Sequence, residues 1–305
     1  MSPETHTDMS LADMPKQQLK IELFRLRLHN GIFVRQDPSE KKKILLDCIE
    51  TGLRLSRKSS RGTRTWLTGE AKMLSEDQIY FQFGKISPDN VGYYDESGKI
   101  FLKKPAEKVD HTLIYMDVNL QLVGIVPNSK IAQKTVVIAD NLGRAMSDSL
   151  ESGLIVTLGS IEEPTEFVQQ LFGAHAVKYF SVAYTLPNSN LSTDGLYRCL
   201  TESTEVFGAD ESAISIKSQN SIKNRDLMAD CAQNANAAGY SAIAKIQETE
   251  DAGLKTIKLG ANSATVQVAE KMKEKPVAIM SNIISHFKRI AKNTMGGSGN
   301  SDRDE

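Results

Sequence analysis

Cysteine is scarce in this sequence, and its three copies (Cys48, Cys199, Cys231) stand far apart with no CxxC pair. An odd, scattered set of thiols excludes a disulfide scaffold and fits a reducing compartment, with each thiol acting as a small apolar residue. Long hydrophobic runs are missing too: none approaches the roughly 18 residues of a spanning helix. The N-terminal stretch MSPETHTDMSLADMPKQQ has neither a basic start nor an apolar core, so no secretory signal is expected. The expectation is a soluble, cytoplasmic protein.

The motifs of common catalysis are absent as well. There is no GxxxxGK[ST] phosphate loop, no GxGxxG and no HExxH. The terminal Gly-Gly-Ser-Gly-Asn lacks the last glycine of a nucleophile elbow. Five histidines, at 6, 29, 111, 175 and 286, are too scattered for a metal site. The reading therefore assigns no catalytic residue, no cofactor and no metal.

What is present is an ordinary globular composition: 305 residues, 40% hydrophobic and 25% charged, with 37 basic against 38 acidic side chains. That length holds two domains of usual size. Strand-like runs are read at residues 21–34, 79–83, 100–102, 112–116, 120–126, 154–158, 177–186, 213–217, 240–247 and 255–259. Hairpin turns are read at Asn30-Gly31 and at Glu250–Gly253. Helical periodicity recurs at about 38–53, 132–149, 165–172, 195–207, 223–239 and 277–292. Helices and strands without regular βαβ alternation indicate an α+β fold, with mixed antiparallel sheets and flanking helices. The expected organisation is a disordered N-terminus at 1–18, an α+β domain at 19–187, a second at 191–294 and a disordered tail at 295–305. The boundary is placed at the polar Pro187–Asn190.

The charges are balanced overall but unevenly spread. Residues 41–72 carry Lys41, Lys42, Lys43, Arg54, Arg57, Lys58, Arg61, Arg64 and Lys72 against Asp47, Glu50 and Glu70, a net charge of +6. The densest part, 54–64, is read as a flexible loop holding Arg54, Arg57, Lys58, Arg61 and Arg64 with no acid, four hydroxyl residues and Gly62. It ends two residues before Trp66, the single tryptophan. Arginine forks and hydroxyls are phosphate donors, and such a segment neutralises a nucleic-acid backbone without reading bases. A solvated basic face is the bland alternative. Lys271, Lys273 and Lys275 form a second candidate set; Lys288, Arg289 and Lys292 have a sufficient reason in the dipole of the last helix. Glu70-Ala71-Lys72, with Asp47 or Glu50 as a second carboxylate, is the pattern of a metal-dependent nuclease, carried as an alternative.

The stretches TEVFGADESAISIKSQNSIK, AIAKIQETEDAGLKTIKL and ATVQVAEKMKEKPVAIMSNIISHFKRIAKN, spanning 204–292, resemble the RexA-like phage-exclusion proteins of abortive-infection systems. TLIYMDVNLQLVGIVPNSKIA resembles the same proteins more loosely, and equally the N-terminal halves of uncharacterised bacterial families beside defence genes. The Kiwa defence effector is a more distant likeness. The resemblance implies a two-domain α+β homodimer that binds double-stranded DNA with little sequence preference in anti-phage defence, with a membrane-protein partner. It transfers no DNA-contacting residue position by position, so the candidate contacts rest on charge alone. The third reading is an interaction module that senses or inhibits a phage component, its basic surface facing an acidic protein.

Overall fold

A computed structural model describes residues 18–29, 38–59, 62–95, 100–150, 153–185, 211–237, 240–259, 263–269 and 272–292. The fold is α+β, with two antiparallel sheets and flanking helices. The first sheet holds β1 (Gln18–His29), β2 (Arg54–Ser59), β3 (Gly62–Ser75), β4 (Gln78–Asp95), β5 (Ile100–Asp117), β6 (Leu122–Ile125), β7 (Ile155–Ser160) and β12 (Thr265–Ala269). Its order is β12-β1-β6-β5-β4-β3-β2, with β7 also on β1. Glu22 pairs with both β12 and β6, and Phe24 with both β6 and β7. The strands β12 and β7 therefore share one edge of β1 end to end.

Alternation along the strands builds a core on each face. Phe24, Leu26, Phe81, Ile114 and Val123 face helices α1 (Pro38–Thr51) and α2 (Thr135–Ser149), which bury Leu45, Ile49, Ile138, Leu142 and Met146 against them. Ile21, Leu23, Tyr115 and Leu122 face the other way, against Ile279, Met280, Ile283 and Phe287 of α5 (Pro276–Lys292). Those positions recur at three- and four-residue spacing, which aligns them on one stripe of the helix.

The second sheet, in the order β11-β10-β8-β9, consists of β8 (Ala176–Thr185), β9 (Glu211–Lys217), β10 (Ala242–Gln247) and β11 (Leu254–Lys258). One face is covered by α3 (Thr165–Gly173) and α4 (Arg225–Ala237); the small Ala229, Ala232 and Ala235 of α4 pack toward Phe180, Val182, Ala244 and Ile246. The chain leaves the first sheet at Ile161 and returns at Ala264. Leu23 anchors both points, its N–H donating to Ala264 O (3.0 Å) and its carbonyl accepting from Ile161 N–H (3.0 Å). The whole unit from α3 to β11 is thus inserted between β7 and β12.

Several expectations are corrected. Residues 54–59 and 62–64 are not a flexible loop: they run in strands β2 and β3, in register from Arg54↔Leu67 to Ser59↔Gly62, held by buried Leu55 opposite buried Trp66. The runs 100–102 and 112–116 belong to one strand, whose ladder with β4 is continuous from Asp95↔Ile100 to Gln78↔Asp117. The sheets do not divide the chain at 187–190, because β8 pairs with β9 and β10 while β12 returns to β1. The Asn30-Gly31 turn, the 195–207 helix and the expected disordered ends at 1–18 and 295–305 lie outside the described residues, except Gln18, which opens β1. Among the described residues no helix is long and apolar enough to cross a membrane.

Candidate nucleic-acid interface

The outermost strand of the first sheet, β2, carries Arg54, Arg57 and Lys58, and Arg64 lies on its partner β3. Strand alternation divides these cations between two faces. Leu55 and Trp66 point to the α1/α2 side, so Arg57 and the directly opposite Arg64 share that side, and Arg54 and Lys58 share the other. Arg57 Nη1 donates to Asn141 Oδ1 of α2 at 3.1 Å, which docks this arginine onto the helix. Arg54 and Lys58 are exposed. Arg61 lies outside the described residues.

The α1/α2 side of this hairpin holds further positive charge. Lys85 lies opposite Trp66, its Nζ 5.8 Å from the indole centroid and donating to Ile131 O at 2.6 Å, while Trp66 stacks on Phe83 at 5.5 Å. Burial lowers the Lys85 pKa, and the Arg64 and Lys108 charges lower it further against the opposing pull of Asp110. Beyond Ile86, where the pairing of β3 with β4 ends, β4 and β5 continue as a two-stranded ribbon to Asp95↔Ile100. The hairpin cations sit beside the root of that ribbon.

Lys273 and Lys275 are exposed between β12 and α5, and Lys271 lies outside the described residues. This second set stands beside the opposite edge of the sheet. Six strand spacings separate β12 from β2, about 29 Å. The two sets do not form one patch.

The constellation needed by the nuclease alternative does not assemble. Glu70 and Lys72 lie toward Tyr80, whose hydroxyl pKa is raised by burial and then by the Glu70 charge, and Tyr80 packs on Tyr115 at 5.2 Å on the α5 side. Asp47 and Glu50 belong to α1, which covers the other side. Among the described residues no three His, Cys, Asp or Glu side chains gather as a metal site.

A cluster that sequence order conceals lies on the second sheet, on the face opposite α3 and α4. Lys217, Tyr179, Lys245 and Thr256 form a row across all four strands by direct pairing. Lys258 and Lys178 border it, around an open cleft of about 680 Å³ whose described lining residues include no carboxylate. Lys217 and Lys245 stand 6.0 and 5.7 Å from the Tyr179 ring centroid. The Tyr179 hydroxyl and Ser215 Oγ are 3.3 Å apart, and Ser215 Oγ lies 2.9 Å from Ser181 Oγ. Those hydroxyl contacts and the lysine charges draw the Tyr179 pKa down. A charged open sheet face also keeps a sheet soluble, which is its structural explanation. The signal available in sequence was a polar residue at alternate positions of each strand, which says nothing about which strands are neighbours.

No protein-family model matches the chain, and no curated protein matches it in sequence.

Proposed function

We propose that this protein binds double-stranded DNA through the phosphate backbone, without reading bases, and that the β2–β3 hairpin is the contacting element. The observation that carries the reading is the concentration of Arg54, Arg57, Lys58 and Arg64 on an edge hairpin whose paired segment contains no acid. Strand pairing gives these side chains fixed separations, so less conformational entropy is lost on meeting phosphates than a loop would lose. Among the described residues no strand pairs with the outer side of β2, so a long rigid helix can approach it. Charges on an edge also prevent strand addition, and that role needs no ligand.

The RexA-like resemblance would extend this reading to anti-phage defence, as a homodimer with a membrane-protein partner; duplex binding is the part that the geometry supports.

Fluorescence-anisotropy titration with two unrelated duplexes of equal length, at two salt concentrations and with and without Mg²⁺, tests the proposal. The expected result is similar affinity for both duplexes, a steep loss with salt, and no cleavage. Undiminished affinity in a protein with Arg54, Arg57, Lys58 and Arg64 all changed to Glu would overturn the hairpin assignment.

A further inference from the structure

The open face of the second sheet has no part in the hairpin reading, and its chemistry differs from that of a duplex-binding edge. We infer that this face is a separate site for single-stranded nucleic acid, with Tyr179 as the base-stacking platform and Lys217, Lys245 and Lys258 as the phosphate contacts.

Three observations support the assignment. The first is uncompensated charge. Lys178, Lys217, Lys245 and Lys258 border one cleft with no carboxylate among its described lining residues. Like charges held together on one face repel, and a polyanion relieves that repulsion. Lys178 is partly committed within the protein, because its Nζ donates to the carbonyls of Gln219 and Asn220 at 2.8 and 2.5 Å. The other three supply the contacts.

The second is the placement of the aromatic ring. Tyr179 occupies an inner strand, with Lys217 on β9 and Lys245 on β10 as its direct neighbours. Both ammonium groups stand near the outer limit of a cation–π contact, so little energy holds them to the ring when phosphates arrive. The hydroxyl contact with Ser215 restrains the ring, so ordering it costs little on binding. Aromatic stacking combined with a basic track is how sequence-tolerant single-strand binders work, each stacked base contributing about 1–3 kcal/mol in such proteins.

The third is accessibility. The two described helices of this unit, α3 and α4, pack on the opposite face. Among the described residues no element packs over the Tyr179 row. A ring projecting from an open sheet face obstructs a duplex, whose bases are already stacked and paired. An unpaired base has a free face to offer. DNA and RNA strands share this chemistry.

The experiment uses the full chain and fluorescein-labelled dT and U oligomers of equal length, with a duplex as the third probe. Two variants are compared with the wild type and with the hairpin variant: Tyr179→Ala with Lys217→Glu and Lys245→Glu, and Tyr179→Phe alone. The triple variant is expected to lose at least tenfold in affinity for a single strand and to keep its affinity for the duplex. Tyr179→Phe keeps the ring and is expected to bind single strands nearly as the wild type does. Photo-crosslinking of a 4-thiothymidine oligomer is expected to label the peptide containing Tyr179. Equal affinities for dT and U mean that both strands are ligands, and a preference identifies which one is.

Single-strand binding that survives the triple variant overturns the site, as does crosslinking confined to the β2–β3 hairpin. Loss of duplex binding in the triple variant would make this face a duplex site and overturn the single-strand assignment. Failure of the hairpin reading is seen separately, as retained duplex binding in the hairpin variant. A thermal melt of each variant verifies folding, and Tyr179→Phe with Lys245→Gln replaces the triple variant should it unfold. That replacement removes one charge and is expected to weaken single-strand binding severalfold; unchanged affinity overturns the site.

Discussion

Glu162 and Asn236 exchange two hydrogen bonds where the inserted unit joins the first sheet. The Glu162 N–H donates to Asn236 Oδ1 at 2.8 Å, and Asn236 Nδ2 donates to the Glu162 carbonyl at 2.7 Å. Asn236 is 0% exposed on α4, and Glu162 follows directly on the Ile161 exit from the first sheet. One side chain thus clamps a helix of the second unit to the backbone of the crossing point. Asn236→Ala leaves a partly buried N–H and a partly buried carbonyl without their partner. It is expected to cost about 2–4 kcal/mol in urea unfolding. A loss below about 0.5 kcal/mol would mean that the clamp does not couple the two units.

The side chain of the same Glu162 gives a pH dependence. Burial pushes its carboxyl pKa up to about 7, and Oε2 has no hydrogen-bond partner among the described residues. Between the ordinary glutamate value and about 7 the folded state keeps a proton that the unfolded state has released. Stability therefore falls as pH rises through that window and levels off above it. Glu162→Gln removes the penalty. The variant is expected to melt several degrees above the wild type at about pH 8 and at a similar temperature at about pH 5. Equal melting temperatures at both would show that water reaches this carboxylate.

The long amphipathic helices were legible because their apolar positions recur without interruption, as in Ile279, Met280, Ile283 and Phe287 of α5. The β10–β11 hairpin was legible for a similar reason: two alternating runs flank an acidic, glycine-containing turn. The β2–β3 hairpin was not, since only Leu55 and Trp66 mark its buried side among charged and hydroxyl residues. What holds those strands is pairing to β4, which no local pattern reports. Pro105 and five charged residues between Leu102 and Thr112 likewise split one strand into two apparent runs, although a proline is tolerated where its missing N–H would face no partner. The chain's exit at Ile161 and return at Ala264 span a hundred residues of sequence, so the insertion became visible only in three dimensions. The lysine row has the same cause. Lys217, Lys245 and Lys258 are ordinary strand residues until the order β11-β10-β8-β9 places them around Tyr179.

The two faces of the β2–β3 hairpin separate a binding role from a structural one. Arg54, Arg57 and Lys58 are all exposed, but Arg57 alone is tied to α2, by its hydrogen bond to Asn141. Changing Arg54 and Lys58 to Glu is expected to weaken duplex binding at least tenfold. It should also flatten the dependence of log affinity on log salt by about 1.8, the share of two phosphate contacts. Arg57→Ala is expected to cost less affinity and to lower the melting temperature, because Asn141 loses a partner. The reverse ranking would place the duplex on the α1/α2 side of the hairpin.

Gly143 tests how closely α2 approaches the first sheet. It lies within the helix, where alanine is ordinarily favoured over glycine by about 1 kcal/mol. A Cβ at this position would come within 2.9 Å of the Val156 carbonyl on β7. One turn away, Ser147 Oγ accepts a hydrogen bond from Val156 N–H at 2.8 Å, so helix and strand are tied at that distance and neither can yield alone. The clash outweighs the gain in helix propensity. Gly143→Ala is accordingly expected to destabilise the fold by about 1–3 kcal/mol in urea unfolding. Duplex affinity per folded molecule should stay unchanged, because the hairpin cations are not touched. A stabilised Gly143→Ala protein would show that α2 can lift from β7, and the contact from Arg57 to Asn141 would then be equally adjustable.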